Sequence, residues 1–214
     1  MSKVVLVTGS AKGIGAAIIE ELAASGYDCV INYNTSEAEA FTLNEKISKY
    51  GIRSLVVKCD VSKEEEVNQM FDTIERELGG VDILVNNAAI DIPNIFSKKN
   101  VRKTLDVNLV GAFLTSKRAE KHILDKKWGR IINISSTNGM NTYYPMGIEY
   151  DASKAALNSL THNLAIEFAP YATVNAIAPG LINTESEVAD YDDEFMQMEL
   201  DKILVRRIGE ASEV

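Results

Sequence analysis

The chain has 214 residues, enough for one domain with a sizeable core. Hydrophobic residues make up 46% and charged residues 25%, the profile of a globular protein, and a net charge of -9 argues against a nucleic-acid binder, which needs a basic face. Anionic lipid would repel the same charge, and no apolar run approaches the roughly 20 residues of a membrane span.

Apolar runs alternate with amphipathic stretches from the first residues on. Strands are predicted over Val4–Val7, Cys29–Tyr33, Ser54–Lys58, Ile83–Val85, Ile131–Ile134 and Val174–Ile177. Helices are predicted between them, over Ile14–Ser25, Ser36–Tyr50, Lys63–Leu78, Asn100–Asp125 and Glu149–Phe168. The strand runs are nearly all apolar, as strands buried on both faces should be. The implied fold is α/β: a single domain with a doubly wound parallel sheet and helices on both faces. Ligands in such a sheet bind beyond the carboxyl ends of the strands, at the switch in strand order. MSKVVLVTGS lacks the apolar core and cleavage site of a secretory signal. Cys29 and Cys59 form neither a CxxC pair nor a disulfide framework. Buried free thiols in a reducing cytoplasm are the expectation.

The first strand exits into TGSAKGIG, residues 8–15. Gly9, Gly13 and Gly15 permit left-handed torsions and let a diphosphate approach the backbone around Ser10 and Ile14. The helix start beyond supplies free N–H groups. The spacing is neither a Walker P-loop nor G-x-G-x-x-G. The second strand ends in Tyr33 and Asn34 without the acid that would bind an adenosine ribose and repel a 2′-phosphate. Lys12, inside the glycine turn, could meet that phosphate as a point charge, or be a solvated surface lysine. Both features favour NADP (NADPH), with NAD as the alternative.

At the third exit, Asp60 is either an acceptor for an adenine amino group, with Val61 packing nearby, or a cap for the next helix. At the fourth, Asn86 and Asn87 either bond backbone across strands or form an ordinary turn, and Ala88 and Ala89 leave room for a ribose. The fifth exit carries Ser135 and Ser136. The sixth carries the forced turn Pro179-Gly180, then Ile182 and the hydroxyl of Thr184.

The segment YDASK places Tyr150 and Lys154 at i and i+4 on one helix face. A free tyrosine has a pKa of about 10, and a nearby ammonium favours the phenolate. The pair reads as a tuned acid–base group, although Tyr-x-x-x-Lys is also a common solvated pair. Ser136 could hydrogen-bond a substrate carbonyl oxygen. Asn108, on the preceding helix, could hold a water behind Lys154 or be a packed amide.

Taken together, TGSAKGIG, Asp60, NNAA at 86–89, Asn108, Ser136, YDASK and Pro179-Gly180 resemble the short-chain dehydrogenase/reductase family, in order and over nearly the whole chain. The resemblance implies a Rossmann-type fold, a nicotinamide cofactor and hydride transfer between a carbonyl and an alcohol. It implies that Tyr150 protonates the carbonyl oxygen, and that Lys154 lowers its pKa and bonds the nicotinamide ribose. Ser136 would orient the substrate oxygen, Asn108 anchor a relay water and Thr184 contact the carboxamide. The members most similar in flavour are 3-oxoacyl-acyl-carrier-protein reductases and sugar dehydrogenases, commonly tetramers, so a homo-tetramer or homo-dimer is expected. The chain departs from the family in NNAA for NNAG and in a short segment between Ile90 and Asn108. It also lacks a further helix and final strand after Val214, which suggests that the natural protein continues.

Residues 185–204 read as a mobile amphipathic lid, with Val188, Tyr191, Phe195, Met196 and Met198 lining a pocket or simply packing. The expected partner is a small carbonyl or alcohol substrate, with an acyl thioester as the narrower possibility. The acids Asp190, Asp192, Asp193 and Glu194 read as a solvated face; lining the mouth instead, they would count weakly against an acidic carrier protein. No metal-ligand cluster is present in the sequence. The rival from another class is a dinucleotide-binding redox sensor without turnover.

Overall fold

The computed structural model describes residues 2–92, 97–140, 147–184 and 192–214. Strands β1 (Val4–Val7), β2 (Asp28–Tyr33), β3 (Ser54–Lys58), β4 (Ile83–Asn86), β5 (Gly129–Ile134) and β6 (Ala172–Ile177) form one sheet in the order β3-β2-β1-β4-β5-β6. Every pairing in it is parallel. The order reverses beside β1, so the switch point lies between β1 and β4.

Alternation along β1 builds two cores at once. Val4 and Leu6 join one cluster with Val67, Phe71 and Ile74 of α3 (Glu64–Leu78), Ile123 of α5 (Gly111–Lys126), and Leu164 of α6 (Ile148–Glu167). Val5 and Val7 join the other, with Ile19 and Ala23 of α1 (Gly13–Ala24) and Leu43 and Ile47 of α2 (Glu37–Ser48). Each β1 residue is thus buried against one layer or the other, which explains its continuous apolar run. Cys29 and Cys59 lie within these layers, and burial pushes both thiols up to about 12.

The sequence predicts one helix over Asn100–Asp125. The structure begins it earlier, as α4 (Lys98–Leu105), where the Ser97 hydroxyl accepts from the Asn100 N–H at 3.2 Å. A π turn, Asp106–Val110, then joins α4 to α5. Beyond β6, Ile182–Asn183 (β7) pairs with Gly209–Glu210 (β8). The predicted lid falls partly on residues 185–191, outside the described residues; its remainder forms α7 (Asp193–Lys202). At the opposite edge of the sheet, Trp128 precedes β5, with Lys3 4.0 Å and Arg130 4.7 Å from its ring. No helix among the described residues is long and apolar enough to cross a membrane.

Candidate active site

The carboxyl ends of β1 and β4 are locked together by backbone approach. Gly9 (φ 61°) and Gly13 (φ 58°) adopt left-handed torsions. A Cβ on Gly9 would come within 2.8 Å of the Ala88 Cα, and one on Gly15 within 2.5 Å of the Asn87 Nδ2. The Asn87 amide donates to the carbonyls of Thr8 (2.9 Å) and Gly9 (3.0 Å), and the Asn87 N–H donates to the Thr8 hydroxyl. Asn87 therefore staples the glycine turn to the fourth strand exit. Asn86 instead points into the core, where its amide donates to the Asn133 Oδ1 at 2.9 Å.

Asn32 secures the other side of the turn, and sequence reasoning gave it no role. Its Oδ1 accepts from the Gly9 N–H at 2.9 Å, and its Nδ2 donates to the Cys59 carbonyl at 3.1 Å. It is 1% exposed, and a polar residue inside the apolar run CVINY was the available signal. The Ser10 hydroxyl accepts from the Asn32 N–H at 3.1 Å and is wholly buried, so Ser10 buttresses the turn from behind.

These contacts shape a cleft lined by Gly9, Lys12, Gly13, Ile14 and Gly15 on one wall. Tyr33, Asn34, Asp60 and Val61 line its far end, and Asn87, Ala88, Ile90 and Thr184 line the other wall. A Cβ on Gly13 would touch the Thr184 Cγ2 at 3.5 Å, so the loop after β6 reaches over the glycine turn. Asp60 Oδ1 accepts from the Ser62 N–H (3.0 Å) and hydroxyl (2.7 Å). It closes the turn before α3 rather than capping that helix, whose N-cap is Lys63. Three backbone-lined sides and hydroxyl and amide donors are the donor chemistry that suits a diphosphate and ribose.

Beyond Ile90 lies the acid–base group. Tyr150 and Lys154 occupy successive turns of α6, with the Lys154 Nζ 5.4 Å from the Tyr150 ring. Lys154 is 2% exposed and donates to the Ile134 carbonyl at 2.7 Å. Burial lowers its pKa to about 8. Ser136 leaves β5 at the head of the single turn Thr137–Gly139; its Oγ accepts from the Asn138 N–H at 3.2 Å, which leaves its own proton to donate. The Thr137 N–H donates to the Pro179 carbonyl at 3.0 Å, joining the fifth exit to the Pro179-Gly180 turn of the sixth. Ile182 then enters β7.

Asn108 sits in the π turn, 2% exposed. Its Oδ1 accepts from the Ile90 N–H at 2.8 Å; its Nδ2 donates to the Ile90 carbonyl and to the Ser153 hydroxyl, both at 3.0 Å. The side chain thus ties the fourth strand exit to α6, one residue from Lys154. Ser153, which completes that tie, was not singled out in the sequence. Nearby, burial raises the Asp91 carboxyl, and Glu149 and Asp151 on either side of Tyr150 raise it further.

A family model described as short chain dehydrogenase matches residues 3–194. A 3-oxoacyl-[acyl-carrier-protein] reductase of Aquifex aeolicus is 37% identical over 216 residues, covering 99% of this chain and 86% of that protein. A 3beta-hydroxysteroid dehydrogenase of Eggerthella lenta is 41% identical, covering 89% of this chain and 75% of that one. Among solved structures, a gluconate 5-dehydrogenase from Burkholderia cenocepacia in complex with NADP and tartrate superposes with a TM-score of 0.91. It is 30% identical, over 100% of this chain and 85% of that one.

Proposed function

We propose that this chain, which belongs to the short-chain dehydrogenase family, is an NADP-dependent oxidoreductase that interconverts a small carbonyl compound and its alcohol. The observation that carries the reading is the buried Lys154 one turn from Tyr150, at the exit of the strand that bears Ser136. The gluconate 5-dehydrogenase with bound NADP supports the choice of cofactor class. The absence of an acid at Tyr33-Asn34 and the presence of Lys12 in the cleft support NADP over NAD. Gly9, Gly13 and Gly15 would hold the diphosphate, Asp60 and Val61 the adenine, Asn87 and Ala88 a ribose, and Thr184 the carboxamide.

When bound, reduced nicotinamide supplies the hydride for the carbonyl carbon. The Tyr150 hydroxyl gives its proton to the carbonyl oxygen as that oxygen gains charge, and the Ser136 hydroxyl donates a hydrogen bond to the same oxygen. The Lys154 ammonium stabilises the resulting phenolate. Proton resupply runs along the side of α6 that Asn108 and Ser153 hold against Ile90. In oxidation each transfer reverses.

The narrower reading, a 3-oxoacyl thioester reductase, draws on the Aquifex aeolicus relative. Asp91, Glu149 and Asp151 around Tyr150 count against a substrate with negative charge near its carbonyl. Assay of an acetoacetyl thioester beside neutral sugars and hydroxyketones separates the two. The decisive variant is Tyr150→Phe, which keeps the ring and removes the proton. It should lower kcat about 10²–10⁴-fold with cofactor affinity intact. Near-normal turnover would refute the Tyr150 assignment, whereas a wild type that binds cofactor but turns over no carbonyl or alcohol would favour the dinucleotide sensor.

A further inference from the structure

Helix α4 is a basic element in an acidic chain. Lys98, Lys99, Arg102 and Lys103 fall at i, i+1, i+4 and i+5, on one face of two turns, while Thr104 on the other face is wholly buried. All four line the cleft that also receives Lys12 and Lys63. Six of the 22 lysines and arginines therefore face one groove. None of the six forms a salt bridge among the described residues.

That arrangement works against the helix itself. Lys98 with Arg102, and Lys99 with Lys103, are like-charged i,i+4 pairs. Lys98 and Lys99 also occupy the first turn, where the helix dipole disfavours cations, and that turn holds no acid. An anion in the groove offsets both effects. The carboxylates in the groove wall are Asp60 and Asp106, so the wall keeps an excess of four positive charges. A dinucleotide diphosphate carries about two negative charges, and a 2′-phosphate adds about 1.5–2 more.

We propose that α4 is an electrostatic selector for the cofactor: its four cations favour capture of the 2′-phosphorylated dinucleotide through the net charge of the groove. This rests on the cleft being the dinucleotide site. At physiological ionic strength the Debye length is about 8 Å, so charges that line one groove are screened less than charges spread over the surface, and low-dielectric walls focus the field. Lys12 acts differently, as a direct contact.

The test is stopped-flow binding of NADPH and NADH, followed by nucleotide fluorescence at low and high salt. It compares wild type, Lys12→Gln, and a variant combining Lys98→Gln, Lys99→Gln, Arg102→Gln and Lys103→Gln. The fourfold variant should lose about tenfold in association rate for NADPH at low salt and clearly less for NADH, and should converge on wild type near 1 M salt. Lys12→Gln should instead speed NADPH dissociation. Equal losses for both nucleotides, or unchanged association rates, would overturn the proposal. Should the fourfold variant misfold, the pair Lys99→Gln and Lys103→Gln gives the same comparison at about half the effect. A wild type that binds neither nucleotide would remove the cofactor reading itself, a result distinct from a loss of selectivity.

Discussion

Lys154 shows how one residue joins function to instability. Its folded pKa is about 8 against an ordinary 10.5, so the unfolded chain binds more protons between those values. Unfolding free energy should therefore rise with pH from about 8 towards 10.5, as the buried ammonium gives up its charge, by on the order of 3 kcal/mol in full. Denaturant titrations of wild type and Lys154→Met across that window check this: the wild type should gain on the variant as pH rises. Activity should move the opposite way, because the neutral amine no longer stabilises the phenolate. At this scale the sequence displayed the groups proposed to react, since phenol, ammonium and hydroxyl are legible by residue type and spacing. It did not display all their supports. Asn87 was open to reading as a cross-strand backbone partner, whereas Asn32 and Ser153 act through partners 23 and 45 positions distant, which no local pattern encodes.

Among the elements, the strand exits were readable because buried parallel strands leave continuous apolar runs. Where β4 ends, sequence and structure differ by the one residue Asn86. The helical stretch after it was less readable. A π turn inserts one residue without breaking the apolar rhythm, so Asp106–Val110 is invisible to a 3.6-residue period. The single turn Thr137–Gly139 carries a sharper constraint. A Cβ on Gly139 would lie 2.8 Å from the Lys154 backbone carbon and 2.9 Å from its carbonyl oxygen. That glycine lets the fifth strand exit rest directly on the turn of α6 that presents Lys154, with the Asn158 amide donating to the Gly139 carbonyl at 3.1 Å. Gly139→Ala must push the two elements apart. We expect a stability cost of about 1–3 kcal/mol by chemical denaturation, and a loss in kcat of about 10²-fold through misplaced Ser136 and Tyr150. Unchanged kcat would mean that the two elements can separate without disturbing the site.

Across the whole molecule, the cleft draws on β1, β2, β3, β4 and the loop after β6, so a ligand that fills it bridges both halves of the sheet. NADPH at 100 times its Kd should stabilise the fold by about 2.7 kcal/mol, a rise in Tm of roughly 5–10 °C in a differential scanning experiment. Smaller shifts for NADH at equal concentration would report the selectivity argued for Lys12 and α4. Trp128, held between Lys3 and Arg130, gives that experiment its instrument. It is the sole tryptophan, and it stands at the amino edge of a sheet whose carboxyl edge holds the cleft. One strand length, about 17–20 Å, separates the two edges. Its ultraviolet emission is therefore a single-site optical signal for loss of the fold. Reduced nucleotide in the cleft can dim it by energy transfer across the sheet, while the indole's own surroundings stay the same.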